Sequence, residues 1–124
     1  MRQEDKELLL KDLCVRLPYG VKIQVPYEDG SGYFDETVWE VNNEGPFYVN
    51  GWGIEYEYVK PYLFPLSSMT EEQKKEYQYI TERWMYDSSY SISDSTDWLN
   101  KNHFDYRGLI KKGLAIDATG LNIY

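Results

Sequence analysis

Apolar and polar positions change period several times along the chain, and each change marks an element. In residues 4–17, Leu9, Leu10, Leu13, Cys14 and Leu17 recur at helical spacing. Glu4, Asp5 and Glu7 fall in the first turn, where carboxylates suit the positive end of a helix dipole. Pro18 ends that helix, because proline disfavours helical geometry in the residue before it. The period then drops to two: Val21, Ile23 and Val25 alternate with Lys22 and Gln24, as in a strand. Asp29-Gly30 is a hairpin signal, and residues 33–41 supply a second strand. Residues 42–46 form a turn cluster, and 47–49 read as a third strand. After a turn over 50–53, residues 54–60 make a fourth, with Ile54, Tyr56 and Tyr58 opposite Glu55 and Glu57. Pro61 and Pro65 bracket Tyr62-Leu63-Phe64, which reads as an extended apolar connector.

The helical period returns over 70–86, where Tyr77, Ile80 and Trp84 form a stripe behind a capping box, either Thr70-Glu71-Glu72-Gln73 or Ser68-Met69-Thr70-Glu71. Residues 87–97 are rich in Ser and Asp and read as a loop. A short helix follows over 97–102, and a last one runs from about Asp105 to Lys112, closed by Gly113. Leu114-Ala115-Ile116 is a closing edge strand or an ordered tail. The order predicts an α+β fold: one helix, a small curled antiparallel sheet of four to five strands, then two or three helices. A sheet of this size can curl into a barrel-like form. With 124 residues and no dividing linker, 1–124 is one domain.

Composition adds a core but no chemistry. Aromatic residues make up 17% of the chain, enough ring surface to offset chain entropy, and 13 of them are tyrosines. One cysteine excludes an internal disulfide framework and favours a reducing compartment. The first residues lack the apolar stretch of a signal peptide, and no run of apolar residues is long enough to span a bilayer. A cytoplasmic protein without membrane contact is the expectation.

The charge is unevenly placed. The chain carries 13 basic and 21 acidic side chains, a formal −8. Residues 1–22 and 60–124 are each within one charge of neutral, so the excess belongs to residues 23–59, which hold no Lys or Arg. An acidic chain repels nucleic acid and anionic lipid, and Lys101, Arg107, Lys111 and Lys112 are too diluted by acids to make a DNA footprint.

Candidate catalytic groups are sparse. His103, the single histidine, has Asp105 nearby as an orienter for general-base work, but no nucleophile lies at a local spacing. The plainer expectation is that His103 ends a helix and Asp105 caps the next. Cys14 falls on the apolar stripe and is expected in the core rather than as a reactive thiol. Zinc would need more ligands than His103 and Cys14. Residues 29–36 fail the calcium-loop pattern, with Tyr33 and Phe34 at positions wanting a ligand and a glycine. No phosphate loop follows Gly30, Gly32, Gly51 or Gly53. No cofactor is implied.

Three stretches carry a resemblance. They are Leu8-Leu9-Leu10-Lys11-Asp12-Leu13-Cys14 with Leu17-Pro18-Tyr19-Gly20-Val21, Lys60-Pro61-Tyr62-Leu63 with Ser67-Ser68-Met69-Thr70-Glu71-Glu72, and Asp97-Trp98-Leu99-Asn100-Lys101 with Phe104-Asp105-Tyr106-Arg107-Gly108-Leu109-Ile110. Together they resemble a family of short uncharacterised proteins of gut Bacteroides-type bacteria and their phages or mobile elements. The resemblance implies a bacterial, cytoplasmic setting and brings no activity or catalytic residues.

The first reading is a non-catalytic interaction protein. Its acidic, aromatic β face, with Glu36, Glu40, Trp52, Glu55 and Glu57, faces a basic protein partner. The alternatives are a small hydrolase using His103 with a carboxylate, and a carbohydrate-binding module using Trp39 and Trp52. A solvated acidic face without a partner is the plain counterpart of all three. No motif fixes an oligomeric state.

Overall fold

The computed structural model describes residues 2–42, 48–53, 58–83, 85–86 and 92–124. Helix α1 spans Gln3–Arg16 and passes through a 3-10 turn, Leu17–Tyr19, into strand β1, Lys22–Pro26. Strands β2 (Tyr33–Thr37), β3 (Val41–Asn42), β4 (Tyr48–Val49), β5 (Trp52–Gly53) and β6 (Lys60–Pro65) follow. Then come α2 (Glu71–Arg83), α3 (Ile92–Lys101), β7 (Phe104–Asp105) and β8 (Ile116–Asp117). This is the expected α+β order.

The main sheet joins β2, β1, β6, β7 and β8, while β3, β4 and β5 form a separate three-stranded sheet. β1 pairs antiparallel with β2 and with β6. β7 and β8 pair with β6 in parallel, so the sheet is mixed rather than purely antiparallel, and it does not close into a barrel. The cause is topological. A parallel partner needs a long crossover, and α2 with α3 provides one between β6 and β7.

Several expectations change. The strand expected over 33–41 ends at Thr37, and Val41 opens β3 of the separate sheet. The connector 61–65 is part of β6, the strand on which β1, β7 and β8 all meet. Its prolines hide it, because a residue without an N–H is a poor sign of a central strand. The helix expected over 105–112 does not form. Asp105 instead accepts the N–H groups of Leu109 (3.0 Å) and Ile110 (2.9 Å), and Gly108 sits at φ 75°, so the chain turns there. The helix start near residue 97 moves back to Ile92. The fourth strand expected over 54–60 falls mostly outside the described residues. Of the two capping boxes the Thr70 one forms: Gln73 N–H donates to Thr70 Oγ1 (3.1 Å), and Thr70 N–H donates to Gln73 Oε1 (2.9 Å), while the Ser68 hydroxyl donates to the Pro65 carbonyl.

The core has two parts. Leu9, Leu13, Ile23, Val59, Leu63 and Leu109 belong to the larger, between α1 and the sheet. Trp98, Leu99 and Phe104 form the smaller, with Tyr77 and Ile80 of α2 packed against it. Trp98 stacks on Phe104 with ring centroids 5.7 Å apart.

The buried face of α1 is not wholly apolar. Asp12 and Arg16 lie one turn apart beside Leu9 and Leu13, and both are fully buried. Arg16 Nε donates to Asp12 Oδ2 (2.8 Å), and Nη2 donates to the Phe104 carbonyl (2.6 Å). Arg107 Nη1 reaches the other Asp12 oxygen at 3.1 Å. The Arg16 and Arg107 guanidiniums lie 5.4 and 4.6 Å from the Tyr106 ring. Cys14 is displaced from the core as a result: the buried stripe runs through Leu9, Asp12, Leu13 and Arg16, and Cys14 is exposed.

Removing one partner of a buried ion pair strands the other, at about 3–5 kcal/mol. Arg16→Ala is therefore expected to lose about that much in urea unfolding. Glu4→Gln, which opens the exposed Arg2–Glu4 pair, should change stability by less than about 1 kcal/mol.

Candidate functional site

The acidic segment begins at the β1–β2 hairpin. Tyr27 N–H donates to the Gly32 carbonyl (2.9 Å), and Val38 N–H to that of Val21 (2.8 Å). In an antiparallel ladder, hydrogen-bonded and non-bonded pairs alternate. Phe34 and Glu36 therefore turn their backbone groups toward β1, while Tyr33, Asp35 and Thr37 turn theirs outward. The same parity explains Pro26: its missing N–H faces away from β2.

Side chains alternate as well. Tyr33, Asp35 and Thr37 are exposed, while Phe34 and Glu36 are half-buried on the Ile23 side. Glu28 and Asp29 are exposed at the hairpin tip, where Ser31 holds the Asp29 carboxyl below its usual range. Glu40 is exposed beyond Val38. Asn50, at φ 53°, fixes this stretch. Its Oδ1 accepts Trp39 N–H (2.8 Å) and Glu40 N–H (3.1 Å), and its Nδ2 donates to the Thr37 carbonyl (2.8 Å). Tyr33 is left 64% exposed and Trp39 62%.

Of the five residues first assigned to a binding face, Glu36 and Glu40 are thus on and just beyond β2. Trp52 lies in β5 opposite Val49, and its ring is outside the description. Glu55 and Glu57 lie outside the described residues. Glu28, Asp29, Asp35, Glu36 and Glu40 form no ion pair among the described residues. Sequence reading missed the part played by Asn50, although an Asn-Gly turn signal marks its place.

His103 presents a different environment. It follows α3 in the left-handed region (φ 63°), donates its backbone N–H to the Asn100 carbonyl and accepts Phe64 N–H. Its ring stacks on Tyr124, centroids 3.6 Å apart and 9° from parallel. Tyr124 OH accepts Lys22 N–H and donates to the Tyr62 carbonyl, both at 2.8 Å, bridging β1 and β6. Lys22 Nζ donates to the Ile123 carbonyl (2.9 Å). The Tyr62 hydroxyl donates to Asp35 and accepts from Gln24 Nε2. Burial pushes the Tyr124 hydroxyl up to about 12; burial, aided by Asp35, raises Tyr62 as well.

Burial, with positive Arg16 and Lys22 nearby, lowers His103 to about 4, so the ring is neutral at pH 7. Its Nδ1 is buried, and among the described residues no hydroxyl, thiol or carboxylate hydrogen-bonds to it. Asp105 does not orient it, since both carboxylate oxygens accept backbone N–H groups. The arrangement is a stacked joint between the chain end and α3. The thiol of Cys14 is raised by partial burial, which makes it a poorer nucleophile.

Among the described residues, no group of three or more His, Cys, Asp or Glu side chains is placed to hold a metal ion. Among them also, no helix is long and apolar enough to cross a membrane. Compared with known proteins, the chain matches no family model, no curated protein and no solved structure.

Because His103 titrates near 4 when folded and near 6.5 when unfolded, the unfolded chain binds more protons between those values. The neutral ring's stabilisation is present above pH 6.5 and is lost as pH falls toward 4. Urea unfolding at pH 7 and pH 4.5 should show that loss. His103→Asn, which tolerates the left-handed backbone, should lose less over the same interval.

Proposed function

We propose that this is a non-catalytic interaction protein whose acidic, aromatic β segment binds a basic protein partner. The observation that carries this reading is the state of Glu28, Asp29, Asp35, Glu36 and Glu40. None of them forms an ion pair among the described residues, and they neighbour the exposed Tyr33 and Trp39 rings. An acidic surface dotted with rings suits a partner that brings lysines and arginines, because complementary charge speeds encounter and fixes orientation. The same charge disfavours nucleic acid as a direct ligand. The resemblance noted above adds a bacterial, element-associated setting to the proposal, with a cytoplasmic location.

The hydrolase reading is the weaker one, for the His103 ring is stacked and its expected orienter is occupied. The carbohydrate reading has one exposed ring, Trp39, in its favour.

Affinity capture followed by mass spectrometry, run at low and high salt, tests the proposal. A basic partner should be recovered at low salt and depleted at high salt. The combined variant Glu36→Gln, Glu40→Gln, Glu55→Gln, Glu57→Gln should recover less of it. Equal recovery by this variant, or capture indifferent to salt, removes the acidic segment as the binding surface.

A further inference from the structure

We propose that the outer edge of β2 is a strand-addition site for an extended, basic segment of a partner protein. This deepens the reading above and rests on it.

The backbone supplies the first half of the argument. Among the described residues β2 pairs with β1 alone, and register parity turns the N–H and C=O groups of Tyr33 and Asp35 away from β1. Among the described residues nothing pairs with those outward groups. The outward carbonyl of Thr37, by contrast, is taken by Asn50. The open stretch is therefore short and bounded, by the Tyr27–Gly32 turn at one end and the Asn50 clasp at the other. Unpaired backbone groups on a sheet edge are a template for one more strand, and an added peptide satisfies them directly.

Charge selects the occupant. Asp35 lies on the open stretch, Glu28 and Asp29 are at the turn, and Glu40 is at the clasp. A second copy of this chain would bring the same carboxylates to the edge and be repelled, which is how acidic edges are kept from pairing with themselves. A strand bearing Lys or Arg at alternate positions meets opposite charge, and Tyr33 offers its ring beside the open groups.

The probe is a short synthetic peptide alternating lysine with valine. Its controls are the same peptide interrupted by prolines and one with glutamate in place of lysine. Amide hydrogen exchange and a binding titration are read together. The lysine–valine peptide should slow exchange at Tyr33 and Asp35, and the two controls should not. Tyr33→Pro removes an outward N–H while sparing the bonds to β1, and it should weaken binding about tenfold, the worth of about one hydrogen bond. The exchange readout on the unaltered chain stands independently of whether that variant folds.

If the lysine–valine peptide and its proline-interrupted form bind equally, with Tyr33 and Asp35 exchange unchanged, strand addition is overturned and the acidic-segment reading survives. If Glu28→Gln, Asp35→Asn, Glu40→Gln protein binds the lysine–valine peptide as well as the unaltered chain does, both fall; if nothing binds, strand addition falls. Protection of Tyr33 that appears without peptide and rises with protein concentration shows a second copy as the occupant and also overturns the proposal.

Discussion

Arg16 is the group on which the two halves of this fold converge. Its guanidinium is fully buried, so every contact it makes stands in for water it has lost. One contact reaches Asp12 in the turn before it, and another reaches the carbonyl of Phe104, far along the sequence in β7. The Phe104 side chain belongs to the smaller core cluster, whereas Leu9 and Leu13 on the helix of Arg16 belong to the larger. A single side chain thus bridges both clusters. Arg107 completes the set by taking the remaining Asp12 oxygen, while Tyr106 OH accepts from Arg107 and donates to Asn100 on α3. Such a network adds little net stability over an apolar core, but it penalises any packing that leaves one member unpaired.

That constraint explains why α1 is oriented as it is. Leu8-Leu9-Leu10 allows an apolar stripe in more than one rotational setting. The setting with Leu10 and Cys14 inward looks better by hydrophobicity. The setting adopted buries Leu9 and Leu13 together with Asp12 and Arg16, and in it the ion pair meets Phe104 and Arg107. A pattern of apolar spacing says nothing of charged residues whose partners lie 88 and 95 residues away.

The same distinction runs through the rest of the chain. Features whose physics is local were readable: the capping box at Thr70, the hairpin around Asp29-Gly30, the strand alternation from Val21. Features decided by distant partners were not. β6 looks like a connector because Pro61 and Pro65 cannot donate, yet three strands gather on it. Residues 105–112 look helical until the Asp105 carboxylate is seen to close a turn on Leu109 and Ile110. Of the candidate site, the acidity and the rings were legible in composition. Which backbone groups of β2 point outward was not, since that depends on register with β1, and register is a property of two strands.

The placement of charge links the core to the surface. The buried arginines of the fold pair away from the acidic segment. Arg16 and Arg107 share Asp12, and Lys22, on the strand next to β2, donates to the Ile123 carbonyl at the joint closed by Tyr124. Glu28, Asp29 and Glu40 are left facing water, while Asp35 accepts the Tyr62 hydroxyl. Screening by water and salt makes that arrangement tolerable in the free protein. The screening weakens when a partner excludes water, so an anion is poorly accommodated there and a cation well. Positive charge is thus turned inward at Arg16, and negative charge is left at the β2 turn and beyond its end.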